Sequence, residues 1–142
     1  MKALKPFALR LNFIFAILGT VGSLYFSEIL KYPPCVLCWY QRICLYPLVL
    51  VFGTALWSED KNYRKYVYPL AAVGFALAAY HNLLYYGVIS EALAPCTAEL
   101  SCTSKQLELF GFITIPLLSL IGFTTILVLT YFDSSKGIDN EK

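Results

Sequence analysis

The chain has 142 residues, 58% hydrophobic, 16% aromatic and only 14% charged, with a net charge of +2 from 11 basic and 9 acidic side chains. An average soluble domain is about a quarter charged and under half apolar, so this composition, with a mean hydropathy of +0.63, excludes a water-soluble globule. It also excludes a disordered chain, which needs many charges and few large apolar groups, and the near-neutral balance argues against nucleic acid, which calls for a concentrated basic face.

A membrane-spanning helix needs about 20 predominantly apolar residues, and the sequence offers four such stretches, at about 8–29, 38–57, 67–87 and 109–131. The first follows basic residues as a secretory signal would, but it is longer than the apolar core of a signal and no small-x-small cleavage site follows it, so it is read as a retained span. Apart from Arg10 and Glu28 at the two ends of the first stretch, Arg42 near the start of the second span and His81 in the third are the charged or imidazole groups inside these stretches. The predicted fold is an all-α membrane protein, a four-transmembrane-helix bundle in one domain. Loops 30–37 and 88–108 lie at one face and loop 58–66 at the other, with a short surface helix or loop between spans 3 and 4. Thr103-x-x-Gln106 resembles a capping box that opens the fourth helix, and 133–142 reads as a frayed polar tail.

Sidedness follows from the basic residues. Lys2, Lys5, Arg10, Lys61, Arg64, Lys65, Lys136 and Lys142 fall on one side, against Lys31, Arg42 and Lys105 on the other. This bias predicts both termini in the cytoplasm and the loops 30–37 and 88–108 outside.

The five cysteines then sort themselves. Cys35 and Cys38 form a C-x-x-C at the start of the second span, Cys96 and Cys102 a C-x5-C in the second outer loop, and Cys44 lies alone within the second span. Both pairs face the oxidising side, where disulfides persist. Two structural staples would remove little entropy, since the loops they close are so short, and a zinc site fits the C-x5-C spacing poorly. No metal is expected; redox exchange is the favoured reading. Pro33-Pro34 ends the preceding segment in extended backbone, so the second helix starts at the C-x-x-C and its unpaired amides favour a thiolate there. Arg42, one turn beyond Cys38, adds its positive charge. Arg42 and His81 are expected at nearly the same depth, which suits a lipophilic ligand with a polar head beneath Cys38. Gln41 and Asn82 lie nearby and equally suit bonds between helices. Cys44 reads as a small apolar packing residue.

The run Pro34-Cys35-Val36-Leu37-Cys38-Trp39-Tyr40-Gln41-Arg42 closely resembles the signature of the DsbB family of disulfide-bond-forming membrane proteins. The short chain and tight C-x5-C look like the family's BdbC-type members of Gram-positive bacteria, and the resemblance extends over essentially the whole chain. It implies a quinone-dependent disulfide oxidase, a thiol:quinone oxidoreductase of the bacterial cell membrane. Such a protein reoxidises a DsbA-like (BdbD-type) thioredoxin-fold partner outside the membrane. By resemblance, Cys96–Cys102 is the disulfide that exchanges with the partner and Cys35–Cys38 the quinone-linked one. Attack is expected at Cys35, leaving Cys38 as the thiolate facing the quinone, and Gln41 receives no role. Cys38, Arg42 and His81 match the quinone site, menaquinone is favoured over ubiquinone, and the chain is read as a monomer. A vitamin K epoxide reductase-like enzyme would carry its reactive C-x-x-C in the last span, which here has no cysteine; a stapled scaffold or transporter would hold cysteines that never turn over.

Overall fold

The computed structural model describes residues 4–60, 62–93, 108–109 and 113–138. Helix α1 runs Leu4–Leu24 and widens into a π-helical turn over Tyr25–Ile29; α2 is Val36–Ser58, α3 Arg64–Tyr85 and α4 Ile115–Ile138. All four contain a stretch long and apolar enough to cross a membrane, and the chain is a multi-pass, all-α membrane protein. The connections at 30–35 and 59–63 are short, so successive helices run antiparallel. Packing closes a ring, α1 on α2, α2 on α3, α3 on α4, and α4 back on α1.

Local chemistry sets the boundaries near the cysteines. The two prolines at 33 and 34 cannot donate into a helix, and Cys35 stays extended at φ −68°, ψ 168° before α2 begins at Val36. At the far end of α3, Gly87 adopts φ +72°, a left-handed conformation that costs glycine little. There the Gly87 N–H donates to Leu84 O at 3.0 Å and the Val88 N–H to Leu83 O at 2.9 Å, which satisfies carbonyls the helix would otherwise leave open.

The fourth helix departs from the expectation. It starts at Ile115, not 109, because Glu108–Leu109 (β1) and Ile113–Thr114 (β2) form a short antiparallel pair. Thr114 rather than Thr103 caps it, its Oγ1 accepting the Leu117 N–H at 3.4 Å, and Pro116 sits in the first turn, where a missing N–H costs nothing. Thr103 and Gln106 lie outside the described residues. The helix also runs on to Ile138, past the Asp133 at which a frayed tail is predicted.

The bundle is apolar outside and mixed inside. Leu18, Ile43, Leu50 and Ile121 are exposed on its flanks, where lipid replaces water. Inside, the buried residues of α3 include Val67, Ala71, Gly74, Ala78 and His81, spaced alternately by four and three, the seam of helices packed at a shallow angle. Those of α2 include Leu37, Gln41, Cys44 and Leu48, with the same spacing. Polar ties join the helices: Asn12 Nδ2 donates to Thr130 Oγ1 at 3.1 Å, linking α1 to α4. Asn82 Nδ2 donates to Ala78 O in its own helix and to Pro116 O, both at 2.8 Å, linking α3 to α4.

At the end of the bundle opposite the C-x-x-C, the Tyr63 hydroxyl donates to Asp133 Oδ2 at 2.6 Å. Burial, and then this bond, push the Tyr63 phenol above its usual range. The hydroxyl therefore stays protonated and donating; its contribution is complete below the ordinary phenol range and is lost only as pH climbs through the raised value. Asp133 Oδ1 is already buried without a partner, so Tyr63→Phe leaves the whole carboxylate unsatisfied. A loss of about 1–3 kcal/mol is expected, read as a lower Tm in detergent. An unchanged Tm would reduce the bond to a surface contact.

Candidate functional site

Cys35 occupies the N-cap of α2, its Sγ accepting the Cys38 backbone N–H at 3.3 Å, one of the amides that a helix start leaves unpaired. The Cys38 Sγ lies 2.9 Å from the Cys35 Sγ, both as free thiols. Cys35 is buried and Cys38 half-buried. Leu37 and Leu84 close around Cys35, with Tyr80 and Ile89 packed against them.

His81 reaches this pair from α3. It is 3% exposed, and its Nε2 lies 3.8 Å from Cys35 Sγ. Its Nδ1 lies 3.3 Å from Gln41 Nε2, and an amide nitrogen carries only hydrogens, so Gln41 donates and Nδ1 accepts. In a neutral ring the hydrogen is then on Nε2, the nitrogen that faces the sulfur. The Cys35 thiol is held well below the ordinary range, first by the hydrogen bond from the Cys38 thiol. Burial pushes it up, and the His81 ring and the Cys38 backbone N–H pull it down further. Both sulfurs and a ring nitrogen of His81 fall within 4.8 Å of one another, a donor set that zinc also uses.

Arg42 takes a different direction from the one its spacing suggests. Its Nη2 donates to Ser23 O on α1 at 3.0 Å, just before the π-helical turn, and its guanidinium lies 5.4 Å from the Trp39 ring centroid. It is 9% exposed, and its Nε is buried with no hydrogen-bond partner. Arg42 and His81 therefore serve different partners: His81 joins Cys35 and Gln41, and Arg42 bridges α2 to α1. Cys44 packs in the apolar core with Leu48 and Phe52. Cys96 and Cys102 lie outside the described residues.

Gln41 is the residue that spacing alone passed over. Its signal was present: it lies between Leu37 and Cys44 on the buried seam of α2, where an amide needs a partner on the facing helix. His81 holds the matching place on the seam of α3.

Two adjacent thiols at a helix start, with a buried histidine against one of them, at one end of four membrane-length helices, define a membrane-embedded dithiol oxidoreductase. The chain belongs to the DsbB family: the family model described as "Disulfide bond formation protein DsbB" matches residues 5–132. Disulfide bond formation protein C of Bacillus subtilis strain 168 is 42% identical over 130 residues, covering 92% of this chain and 93% of its own length. The probable disulfide formation protein C 2 of Bacillus anthracis is 38% identical over 141 residues, 99% of this chain and all of that protein. A probable disulfide formation protein of Chlamydia trachomatis is 43% identical over 126 residues, 89% of this chain and 91% of its own. No solved structure matches the chain. The protein is thus a membrane oxidoreductase with a role in disulfide bond formation.

Proposed function

We propose that this protein is a quinone-dependent disulfide oxidase of the bacterial cell membrane, with both termini cytoplasmic and the Cys35–Cys38 pair at the outer face. It reoxidises a DsbA-like, BdbD-type thioredoxin-fold partner. The observation that carries this reading is the Cys35–Cys38 pair, 2.9 Å apart at a helix start and backed by His81. Membership of a disulfide-forming family and the eight-to-three bias of basic residues support it.

The partner's thiolate opens Cys96–Cys102 through a mixed disulfide. The thiols so released attack Cys35–Cys38 in turn and leave it as a dithiol. Two pairs serve two phases, one meeting a soluble protein and the other a lipid-soluble acceptor. A bound quinone, menaquinone in our reading, supplies the oxidising step by accepting two electrons and two protons. The residues present fit such a group: the Arg42 Nε–H is a buried charged donor with no partner, one turn beyond Cys38, and suits a carbonyl oxygen. Arg42 would orient the head group, and Trp39, over which the guanidinium sits, would shield that contact from water.

The reading is tested by adding reduced partner and quinone to the purified protein and following partner thiol loss together with quinone reduction. Two partner thiols should be lost for each quinone reduced; thiol loss without quinone reduction would overturn the acceptor. Arg42→Ala is expected to raise the apparent KM for quinone about tenfold, since a hydrogen bond to a charged group contributes about 1.5 kcal/mol or more. The KM for the partner should not move. An unchanged quinone KM would leave Arg42 as an α1–α2 tie only.

A further inference from the structure

We propose that Cys35, Cys38 and His81 form a zinc-binding site that exists only while the pair is reduced, and that zinc reaching it from the bundle end arrests the protein in that state. The binding stands on geometry alone; the arrest rests on the proposed function.

The donors are already gathered. Zinc holds thiolate sulfur at about 2.3 Å and imidazole nitrogen at about 2.0–2.1 Å in a tetrahedron. Two sulfurs on one ion then stand about 3.8 Å apart, and sulfur and nitrogen about 3.6 Å. Cys35 Sγ and His81 Nε2 are 3.8 Å apart, and both sulfurs and a ring nitrogen lie within 4.8 Å of one another. The two sulfurs, at 2.9 Å, must part by about 0.9 Å to span the ion, a movement that rotation of the half-buried Cys38 side chain about Cα–Cβ supplies. Zinc across both cysteine pairs fits the C-x5-C spacing poorly; the third donor here comes instead from α3, which no spacing within α2 could show. Three protein ligands leave the fourth position to water.

Charge and hydrogen bonding favour the cation as well. Cys35 is 7% and His81 3% exposed, and two thiolates in such a setting are costly unless paired. One zinc makes the cluster neutral, so Arg42, turned to Ser23 O and the Trp39 ring, is not opposed. A histidine that ligates through Nε2 carries its hydrogen on Nδ1 and needs an acceptor there. The buried Gln41 amide stands 3.3 Å from Nδ1, and half a turn of that amide presents Oε1 in place of Nε2. Gln41 thus donates to the metal-free ring and accepts from the zinc-bound one. Binding replaces the two thiol protons, which pass to water, and moves no electrons. The disulfide offers no thiolate, so the site vanishes on oxidation. With both sulfurs held, the reduced pair keeps its electrons until a chelator takes the metal.

The test starts with full-length protein in lipid nanodiscs, reduced or oxidised, exposed to chelator-buffered zinc chloride without quinone or partner. The reduced protein should retain one zinc per chain by elemental analysis and the oxidised protein none; equal retention in both states, or none in either, would overturn the site. Replacing Cys44, Cys96 and Cys102 by Ala should leave the zinc in place, whereas its loss would move the metal to other thiols and end the proposal. Gln41→Leu should weaken binding about tenfold, as the loss of a partner behind a ligating histidine does, and His81→Ala by at least as much; affinities equal to the parent's would exclude both residues. The chain has a single histidine, so 15N-histidine spectra of the unsubstituted reduced protein read the ligand directly. Zinc should shift the Nε2 signal and leave the hydrogen on Nδ1, and an unmoved ring would refute ligation. In the coupled assay, zinc should slow quinone reduction and EDTA restore it; zinc that binds without slowing turnover would overturn the arrest. An assay inert even without zinc would count against the proposed function and leave the binding results intact.

Discussion

Cys38→Ser is expected to abolish coupled partner oxidation and quinone reduction, a fall of about three orders of magnitude or more, because a hydroxyl forms no exchangeable bond with sulfur and only a thiolate performs the exchange. The fold should survive: Cys38 is half-buried, and its backbone N–H still donates to Cys35 Sγ. Cys35→Ser should be as severe for turnover and milder still for the fold, since serine is a favoured N-cap and its oxygen can accept the same N–H. Cys44→Ala supplies the control. Cys44 packs against the apolar core with Leu48 and Phe52, on the same helix but deeper, and its loss should leave both rates where they were. Partner thiols counted by Ellman's reagent and quinone followed by absorbance read all three variants in one assay. Retained activity in Cys38→Ser would falsify the redox reading and return the pair to a structural role. Loss of activity in Cys44→Ala would show that electrons use a route through the interior of α2.

The parts legible in the sequence are those fixed by short-range chemistry. Apolar runs of membrane length show themselves in any window, and the four helices fall where those runs lie. The start of α2 was equally plain, because Pro33-Pro34 forbids helix before Cys35 and nothing forbids it after. The start of α4 was not: Thr103-x-x-Gln106 reads as a helix opening, whereas the helix begins at Ile115, capped by Thr114. Only pairing of 108–109 with 113–114 decides between them, and such pairing has no local signature. The site divides in the same way. That Cys35 and Cys38 share a helix start is a matter of two intervening residues. That His81 meets Cys35 depends on how far α3 is rotated and slid against α2, which depth counting at 1.5 Å per residue cannot supply. The four-three spacing of buried residues does carry the rotation. It places Gln41 and His81 on facing seams and Arg42 one residue off, toward α1. Composition alone could not reveal this, because it counts Arg42 and Gln41 without regard to which helix each faces.

That seam makes the second large effect predictable at Gly74. A Cβ built there would stand 2.7 Å from Phe123 Cδ1 on α4 and closer still to Cε1. Phe123 is 3% exposed and packed in the core, so its ring has little room to retreat. Helices α3 and α4 approach this closely because position 74 carries no side chain, the usual device for close helix contact in a membrane. Gly74→Ala is expected to cost about 1–3 kcal/mol through overpacking, and Gly74→Val more, read as a fall in Tm and in the yield of folded protein from membranes. Gly122→Ala on α4 is the matched control. Its added Cβ meets nothing within 4 Å, so it gains the helix preference of alanine, up to about 1 kcal/mol, and should melt no lower than the parent. Phe123→Leu should partly rescue Gly74→Ala, and the double-mutant cycle measures how much of the cost belongs to this one contact. The consequence reaches the site as well. His81 lies seven residues further along the same seam, about 10 Å up the helix axis. A displacement of α3 away from α4 moves His81 relative to Cys35, while Asn82, bonded to Pro116 O, resists it. Gly74→Ala protein that still folds should therefore show a lower kcat. If stability falls while kcat stays unchanged, α3 yields locally around Phe123 and the seam does not act as a rigid rod.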